Sequence, residues 1–296
     1  MNDVPLADEK RFKQLQNFID RMPSLSTTVT KVLEVCNKPN TSPNDLNRVI
    51  SLDPVLTGQV LKLINSAYYS MANQITSLTR AIIMLGLNTV KNLALSTAVL
   101  GSFGKEESFQ SLSMDKFWTH SICVGVTAKI LAGKRGVPMA SREEYFVAGL
   151  LHDLGKIPLN NRFAQEYGQV LELARLEQGP LIRAEQMVFG FDHGLVGKII
   201  ADKWQLSEVI ADALCYHHVP EQATEKNQDL VATIALADIY ANIYEIGSAG
   251  DYFPEESNLK YILKMLDLDW NDLVEMQDRV AGEIEKAQIF LHVSRE

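Results

Sequence analysis

The chain has 296 residues, a net charge of −9 and an apolar content of 46%. That length predicts one large domain or two small ones, and the apolar content excludes a generally disordered chain. The acidic balance disfavours broad binding to the phosphate backbone of nucleic acids, although a local cationic centre could still hold a small anion.

The sequence also indicates where the protein works. Its three cysteines are scattered, and their odd number argues against a disulfide framework. The N-terminal stretch MNDVPLADEKRFKQ is polar and lacks the apolar core of a signal peptide. The longest apolar stretch, residues 81–103, is interrupted by Asn88, Lys91 and Asn92 and is too mixed to span a bilayer. We therefore expect a cytoplasmic protein that binds neither membranes nor nucleic acid.

Short helices are predicted in the first third of the chain. Residues 42–45 (SPND) combine an N-cap serine, a proline at the first helical position and an acid in the first turn. The pair at 53–54 (DP) repeats this start signal. A third helix is predicted over 77–85, ending at a glycine, and a fourth from about Asn88. Helical periodicity dominates throughout, and no alternating run predicts a strand.

The polar segment 101–115 (GSFGKEESFQSLSMD) is the best internal boundary. It would separate an N-terminal helical subdomain, residues 1–105, from a larger helical domain, residues 106–296. A loop is expected at 247–254, and no fixed-period repeat appears. The prediction is an all-α, multi-helix bundle. Beyond the boundary, helices are predicted at 115–133, 141–154, 163–178, 180–189, 193–204, 207–218, 229–246, 256–266 and 270–289.

Five of the six histidines and two aspartates are candidates for one metal site. Imidazole and carboxylate are the protein ligands that Zn, Fe or Mn would take. A lone histidine in a helix is more often a surface or hydrogen-bonded core residue, and His292 receives only that interpretation. The candidates are His120, His152, Asp153, His193, His217, His218 and Asp238.

Two of the candidates end an apolar helix. His152 and Asp153 follow the run 145–151, where buried polar groups cost free energy unless they are paired or bound to metal. Gly155 is expected to cap this helix in the left-handed conformation. Lys156 follows the cap.

Asp238 is the only charged residue in the apolar stretch 231–244. A carboxylate there needs a cation or several hydrogen-bond donors. The alternative is a buried hydrogen-bond network with Asn242, one turn away.

The remaining histidines lie at different places on their predicted helices. His120 is inside a helix, and His193 opens one beside Asp192. His217 and His218 close a third helix. Because adjacent helical residues point about 100° apart, both can face one site only if the helix frays there. Alternatively, one of the pair fixes the tautomer of the other.

The order of these residues resembles that of the HD superfamily of metal-dependent phosphohydrolases. Within it, the chain looks most like the HDOD proteins, bacterial signalling domains related to the HD-GYP phosphodiesterases. The resemblance covers roughly residues 20–240, and it rests also on blocks at 21–25 (RMPSL), 50–56 (ISLDPVL), 63–67 (LINSA), 81–86 (AIIMLG), 117–121 (FWTHS) and 189–194 (FGFDHG).

The resemblance implies an all-α fold and a centre of one or two divalent metals. Fe is favoured because HD-GYP relatives use it, and Mn or Zn would also suit nitrogen and oxygen ligands. Asp153 would bridge the two metals. By resemblance, the first would be held by His120, His152, Asp153 and Asp238, and the second by His193 with one or both of His217 and His218.

Two catalytic roles also follow from the resemblance. With metals about 3.5–4 Å apart, a bridging hydroxide could attack a phosphoester, and Asp153 would hold both ions. Lys156 would bind phosphate or protonate the leaving oxygen. The alternative for Lys156 is an exposed cap of the helix C-terminus.

Three functions compete. The first is a signalling module that keeps its metal site and acts through signalling proteins in trans. The second is a phosphohydrolase or phosphodiesterase acting on a small phosphorylated or cyclic-nucleotide ligand, and the third is a di-iron oxygenase.

Many HDOD proteins have lost part of the metal set, whereas this chain keeps it. HD-GYP enzymes carry a Gly-Tyr-Pro element after their histidine pair, and its absence after 216–221 (YHHVPE) argues against cyclic dinucleotide hydrolysis.

Overall fold

The protein is described by a computed structural model that covers residues 6–103 and 111–294. These residues form helices and no strand, which confirms the predicted all-α class. The expected division at residues 105–106 lies outside the described residues. The helices are α1 (Leu6–Arg21), α2 (Thr27–Cys36), α3 (Pro43–Ile50), α4 (Pro54–Ile64), α5 (Leu78–Leu85), α6 (Leu87–Phe103), α7 (Met114–Lys134), α8 (Met139–Leu151), α9 (Lys156–Arg162), α10 (Ala164–Glu177), α11 (Leu181–Phe189), α12 (His193–Lys203), α13 (Glu208–Tyr216), α14 (Gln228–Ile243), α15 (Glu256–Leu266), α16 (Trp270–Glu275), α17 (Gln277–Ala287) and α18 (Ile289–Ser294).

The predicted start signals act as helix caps. Ser42 accepts a hydrogen bond from the backbone N–H of Asp45, whose carboxylate accepts one in return from the backbone N–H of Ser42. Asp53 caps α4 by accepting from the N–H of Leu56 at 3.0 Å. These bonds satisfy N–H groups that the first helical turn leaves without partners, so local sequence suffices to place α3 and α4.

Three helices were not predicted, and one long predicted helix is broken into three. Helices α1, α2 and α9 were missed, and the single helix expected over 270–289 is instead the series α16, α17 and α18. Leu273, Met276, Val280, Ala287 and Phe290 are all buried along this series. The helical spacing of apolar residues therefore continues through both breaks, which periodicity alone cannot detect.

Helix α6 lies at the centre of one continuous core. It packs against α2, α4 and α5 on one side and against α8 and α18 on another. Because it is covered on several sides, even its polar residues Asn92, Ser96 and Thr97 are buried. In the described ranges no single helix is long and apolar enough to cross a membrane, and α5 and α6 reach that composition only together, across a bend of 118°.

The C-terminal end of α1 is held by a residue from the metal-site half of the molecule. The ammonium of Lys203, at the end of α12, donates to the carbonyls of Ile19, Asp20 and Met22 at 2.6, 3.0 and 2.8 Å. Terminal carbonyls of a helix have no partner within it, and a cation there also complements the helix dipole. The N-terminal helix is thereby fixed onto α12, which begins with His193.

Helix α8 approaches its neighbours closely at glycines. A Cβ on Gly149 would stand 2.8 Å from the Cα of Gly125, where α8 crosses α7. The left-handed cap expected at Gly155 was wrong, because its φ is −63° and its ψ is −21°. Gly155 is needed for space instead, since a Cβ there would lie 1.9 Å from the carbonyl oxygen of His193. These contacts bring the ends of α8 and α12 together.

Substitution of Gly155 by alanine should therefore prevent normal packing. The added Cβ meets backbone atoms of His193 and Gly197, which cannot move as a flexible side chain would. We expect the free energy of unfolding to fall by at least ~3 kcal/mol, measured by urea denaturation.

Gly58→Ala is the matched control. Gly58 is inside α4 and its Cβ would meet nothing within 4 Å. Alanine should stabilise that helix by about 1 kcal/mol. A Gly155→Ala protein as stable as wild type would contradict the proposed close approach.

Candidate metal centre

Five helical segments deliver the seven predicted ligands to one place. His120 is inside α7, and His152 and Asp153 directly follow α8. Asp238 is inside α14. His193 begins α12, and His217 and His218 follow the last residue of α13. All seven are buried except His218, which is partly exposed. The structure therefore brings together the whole predicted set.

Asp153 stands between two groups of histidines. The first group is His120 and His152, and the second group is His193, His217 and His218. Its Oδ1 lies 3.5 Å from Nε2 of His193 and 3.7 Å from Nε2 of His217. Its Oδ2 lies 3.3 Å from Nε2 of His152 and 3.8 Å from Nε2 of His120. One carboxylate oxygen thus faces each group, which is the arrangement that a bridging ligand requires.

Hydrogen bonds to Nδ1 fix how three of the rings present Nε2. Nδ1 of His152 lies 2.7 Å from the carbonyl oxygen of Gly149, and Nδ1 of His217 lies 3.0 Å from that of Ala213. A carbonyl only accepts, so both Nδ1 atoms carry the proton. Nδ1 of His193 likewise donates to Glu185 Oε2 at 2.6 Å. When neutral, each of these rings turns an unprotonated Nε2 towards Asp153.

The second group places three imidazole nitrogens unusually close together. Nε2 of His193 lies 3.2 Å from Nε2 of His217 and 3.0 Å from Nε2 of His218. Two acceptors at that separation repel unless a proton or cation lies between them. A proton on Nε2 of His193 can form a good hydrogen bond to only one of these two neighbours. Nitrogen ligands that each lie 2.0–2.1 Å from one metal ion are separated from each other by about 3.0–3.4 Å. The spacing therefore fits a shared metal.

The first group and the neighbouring Asp153 contain buried polar atoms without hydrogen bonds. Both ring nitrogens of His120, Nε2 of His152 and Oδ1 of Asp153 have no hydrogen-bond partner. Nε2 of His120 is 3.1 Å from Oδ1 of Asp238, but not in hydrogen-bond geometry. Buried atoms of this kind are costly, and a cation would satisfy them. The residues His120, His152 and Asp153 could hold one ion, and His193, His217 and His218 another.

Asp238 lies both in a hydrogen-bond network with Asn242 and beside the candidate metal ligands, the two alternatives left open by the sequence. Asn242 donates to its Oδ1 at 3.0 Å, as the network alternative required. The same oxygen also lies 3.7 Å from Nε2 of His152. Burial raises the pKa of Asp238, but His120 and His152 outweigh this and hold the pKa well below its usual value. The carboxylate is therefore ionised and available to a cation.

His217 and His218 can both contact His193 because α13 ends before them. The predicted helix extended to 218, whereas α13 ends at Tyr216. Both rings can then contact His193, which leaves both as predicted ligands. Burial and neighbouring imidazoles lower the pKa of His218 to about 3 and that of His217 well below 6.5. Both are neutral at pH 7, as metal ligands must be.

His152 differs in its charge. Burial lowers its pKa, yet Asp153 and Asp238 outweigh burial and raise the pKa to about 10. Metal binding to the first group must therefore displace a proton from His152.

Lys156 is not an exposed helix cap, so that alternative was wrong. It is 1% exposed, and its ammonium donates to Asp153 Oδ2 at 2.8 Å. Burial lowers its pKa, but Asp153 and other nearby carboxylates raise it overall, so the charge persists. Lys156 therefore places a cation beside the carboxylate that faces both groups. His292, by contrast, is exposed on α18 with Nδ1 2.9 Å from the carbonyl of Gln288, as an ordinary histidine would be.

Sequence reasoning missed two acids near the centre. Glu185 is fully buried and accepts from the backbone N–H and Nδ1 of His193 and from the hydroxyl of Tyr167. The sequence does contain a signal for the burial of Glu185. This residue lies one turn after the buried Leu181 and one turn before the buried Phe189 on α11, so it falls on the apolar face of that helix. Asp251 lies in the 247–254 loop, where no pattern marks it, and burial raises its pKa to about 6.

In the described residues, an all-helical fold gathers five histidines and two aspartates at one centre. The chain belongs to the HDOD domain family, whose model matches residues 22–220. The family resemblance predicted from the sequence is therefore confirmed.

Similar proteins include two solved structures and one further relative. An HDOD domain protein of unknown function from Geobacter sulfurreducens is 27% identical, with a TM-score of 0.75 over 95% of this chain and 98% of that one. A protein from Shewanella amazonensis SB2B, named as a candidate phosphohydrolase, is 23% identical with a TM-score of 0.70, over 94% of this chain and 98% of its own, and shows the fold alone.

The third relative is an uncharacterized protein from Treponema pallidum (strain Nichols). It is 25% identical over 239 residues, which cover 80% of this chain. The match covers 45% of the relative, so the chain spans less than half of its length.

Glu185→Gln should weaken metal binding by about 10- to 100-fold. The carboxylate fixes the tautomer and direction of His193, and loss of such partners typically has an effect of this size. Competition with a chelating dye, under anaerobic conditions for Fe²⁺ and then for Mn²⁺, measures the affinity.

The exposed Glu177, at the end of α10, provides the matched control, and Glu177→Gln should bind metal like wild type. Equal affinities for the Glu185 and Glu177 variants would contradict the role given to Glu185.

Proposed function

We propose that the chain is a bacterial signal-transduction module of the HDOD type that retains a two-ion metal centre and acts through protein partners in the cytoplasm. The main support for this proposal is the position of Asp153, which turns one carboxylate oxygen towards each of the two histidine groups. Metal bound there would cross-link α7, α8, α12, α13 and α14. Its binding free energy would then stabilise one arrangement of these helices.

Burial of the centre favours a signalling role over turnover. A catalytic metal keeps a coordination position open to substrate. Here six of the seven side chains are buried, and Lys156 already occupies the side of Asp153 that faces the first group. A phosphodiester would have to displace that contact to reach the ions. Fe²⁺ is the favoured metal, with Mn²⁺ or Zn²⁺ compatible with the same ligands.

Hydrolysis of a phosphoester is the second candidate, and Lys156 is the observation that favours it. Its ammonium lies 2.8 Å from Asp153 and could bind a phosphate oxygen or protonate the leaving oxygen. Metals held by the two histidine groups and Asp153 would supply an activated water as the nucleophile. Asp153 would orient both ions, and the ligand would be a small phosphorylated compound.

Metal stoichiometry in single variants tests the shared centre. We expect wild-type protein, loaded anaerobically with Fe²⁺ or Mn²⁺ and analysed by plasma mass spectrometry, to hold two ions per chain. His120→Ala should lose the first ion only and His193→Ala the second only. Asp153→Ala should lose both, because its oxygens face both groups.

His292→Ala controls for the loss of any histidine, since His292 is remote and exposed. Less than one ion per wild-type chain would sink the proposal.

Turnover by the fully loaded protein separates the two candidates. The module predicts no hydrolysis of bis(4-nitrophenyl) phosphate above that of free metal. The alternative predicts hydrolysis that falls at least 100-fold in Lys156→Met while the metal content is unchanged. Such a result would replace the module with the phosphohydrolase.

A further inference from the structure

A cavity of about 510 Å³ lies between the N-terminal helices and the α7–α8 pair. The connection from α4 to α5 supplies Tyr68 and Tyr69, and α5 supplies Met84. The other wall includes Lys129 of α7 and Glu143 of α8. Small-molecule sites commonly have volumes of about 300–1,000 Å³ and lie between structural units. The cavity has the size and the location of a ligand site.

This cavity is separate from the metal centre although it uses the same two helices. Lys129 follows His120 on α7, and Glu143 precedes His152 at the end of α8. At 1.5 Å per residue, each step is about 13–14 Å along the helix. The close approach of Gly125 and Gly149 lies between the two positions. The metal centre and the cavity therefore occupy opposite ends of the crossing.

The aromatic wall of the cavity is held in place by a buried charge. Glu143 is 3% exposed, and its two oxygens accept from Lys129 at 2.6 Å and from the hydroxyl of Tyr69 at 2.7 Å. The same ammonium bonds the hydroxyl of Tyr68 at 3.1 Å and lies 4.4 Å from that ring's centroid. The rings are therefore fixed before any ligand arrives, which lowers the cost of binding an apolar or aromatic body.

The described lining of the cavity carries three cationic side chains and two carboxylates. Glu143 is paired with Lys129, and Glu283 is paired with Lys286 at 2.7 Å. The remaining charges among the described lining residues are those of Arg279 and of Arg142, whose Nε donates to the carbonyl oxygen of Val137 at 2.7 Å. In a chain with a net charge of −9, the lining therefore has an excess of one positive charge. Arginine suits carboxylate, phosphate and sulfonate groups because its N–H donors form a fixed fork.

We propose that this cavity binds a small organic anion, with its apolar or aromatic part against Tyr68, Tyr69 and Met84 and its acidic group at Arg142 and Arg279. The ligand would contact both the N-terminal helices and the α7–α8 pair. Binding would stabilise their packing by an amount that rises with the logarithm of the ligand concentration. The site is an input separate from the metal centre and does not depend on the proposed metal.

Two fluorescent probes that differ in charge test this assignment. 1-Anilinonaphthalene-8-sulfonate carries an aromatic body and an anion, and N-phenyl-1-naphthylamine carries the body alone. Titration of the folded full chain should give one saturable site, with the sulfonate binding about tenfold tighter. The result should be the same with metal-loaded and chelator-treated protein. Equal affinity for both probes would overturn the anionic assignment.

Variants locate the probe. Arg279→Gln should weaken the sulfonate about threefold and leave the neutral probe unchanged, because Arg279 supplies one of the two guanidinium groups at the opening. Ala140→Trp should abolish binding of both, since Ala140 is exposed and lines the cavity.

Arg80→Gln and Leu176→Ala, at exposed positions outside the lining, are the controls. Circular dichroism melting shows that each variant is folded. Undiminished binding to Ala140→Trp, or loss of binding in Leu176→Ala, would refute the site.

Discussion

The carboxylate of Asp153 is 1% exposed and is surrounded by positive or metal-seeking groups. An isolated carboxylate at that depth would cost several kcal/mol or more, so its neighbours are required for folding. Lys156 supplies one full charge at 2.8 Å. The imidazole nitrogens lie 3.3–3.8 Å from its oxygens, mostly beyond direct bonding distance, and a metal on each side would complete the set.

The surrounding helices are placed so that they compensate the buried charge of Asp153. His193 must approach the end of α8, and the absence of a side chain at Gly155 allows it. Glu185 then holds His193 from behind, and Tyr167 holds Glu185 at 3.0 Å. Fixed partners of this kind reduce the reorganisation that metal binding requires. The ligand set is therefore supported from α10 and α11, which contribute no predicted ligand themselves.

The helix pair α7 and α8 connects two regions of different chemistry. One end carries His120 and His152, and the other carries Lys129 and Glu143 with the two tyrosines. Each region places charge inside an apolar bundle and compensates it locally. A metal at one end and an organic anion at the other would stabilise the same crossing by independent contacts.

The sequence predicts most of the helices and the identity of the clustered residues, because caps, periodicity and lone polar groups in apolar runs are local signals. It fails where the deciding contact is distant in the chain. Gly155 was assigned to a left-handed helix cap because the neighbouring carbonyl belongs to α12, and the exposed alternative stayed open for Lys156 because its partner's burial could not be seen. Glu185 was detectable as a charge on an apolar stripe, whereas Asp251 was not.

Anomalous diffraction at the metal absorption edge, from crystals grown after anaerobic Fe²⁺ loading, tests the central claim most directly. The account predicts two peaks on either side of the Asp153 carboxylate, about 3.5–4 Å apart. One should contact His120 and His152, and the other His193 with His217 or His218. Fully loaded crystals with no peak beside Asp153, or with metal only at surface sites, would contradict it.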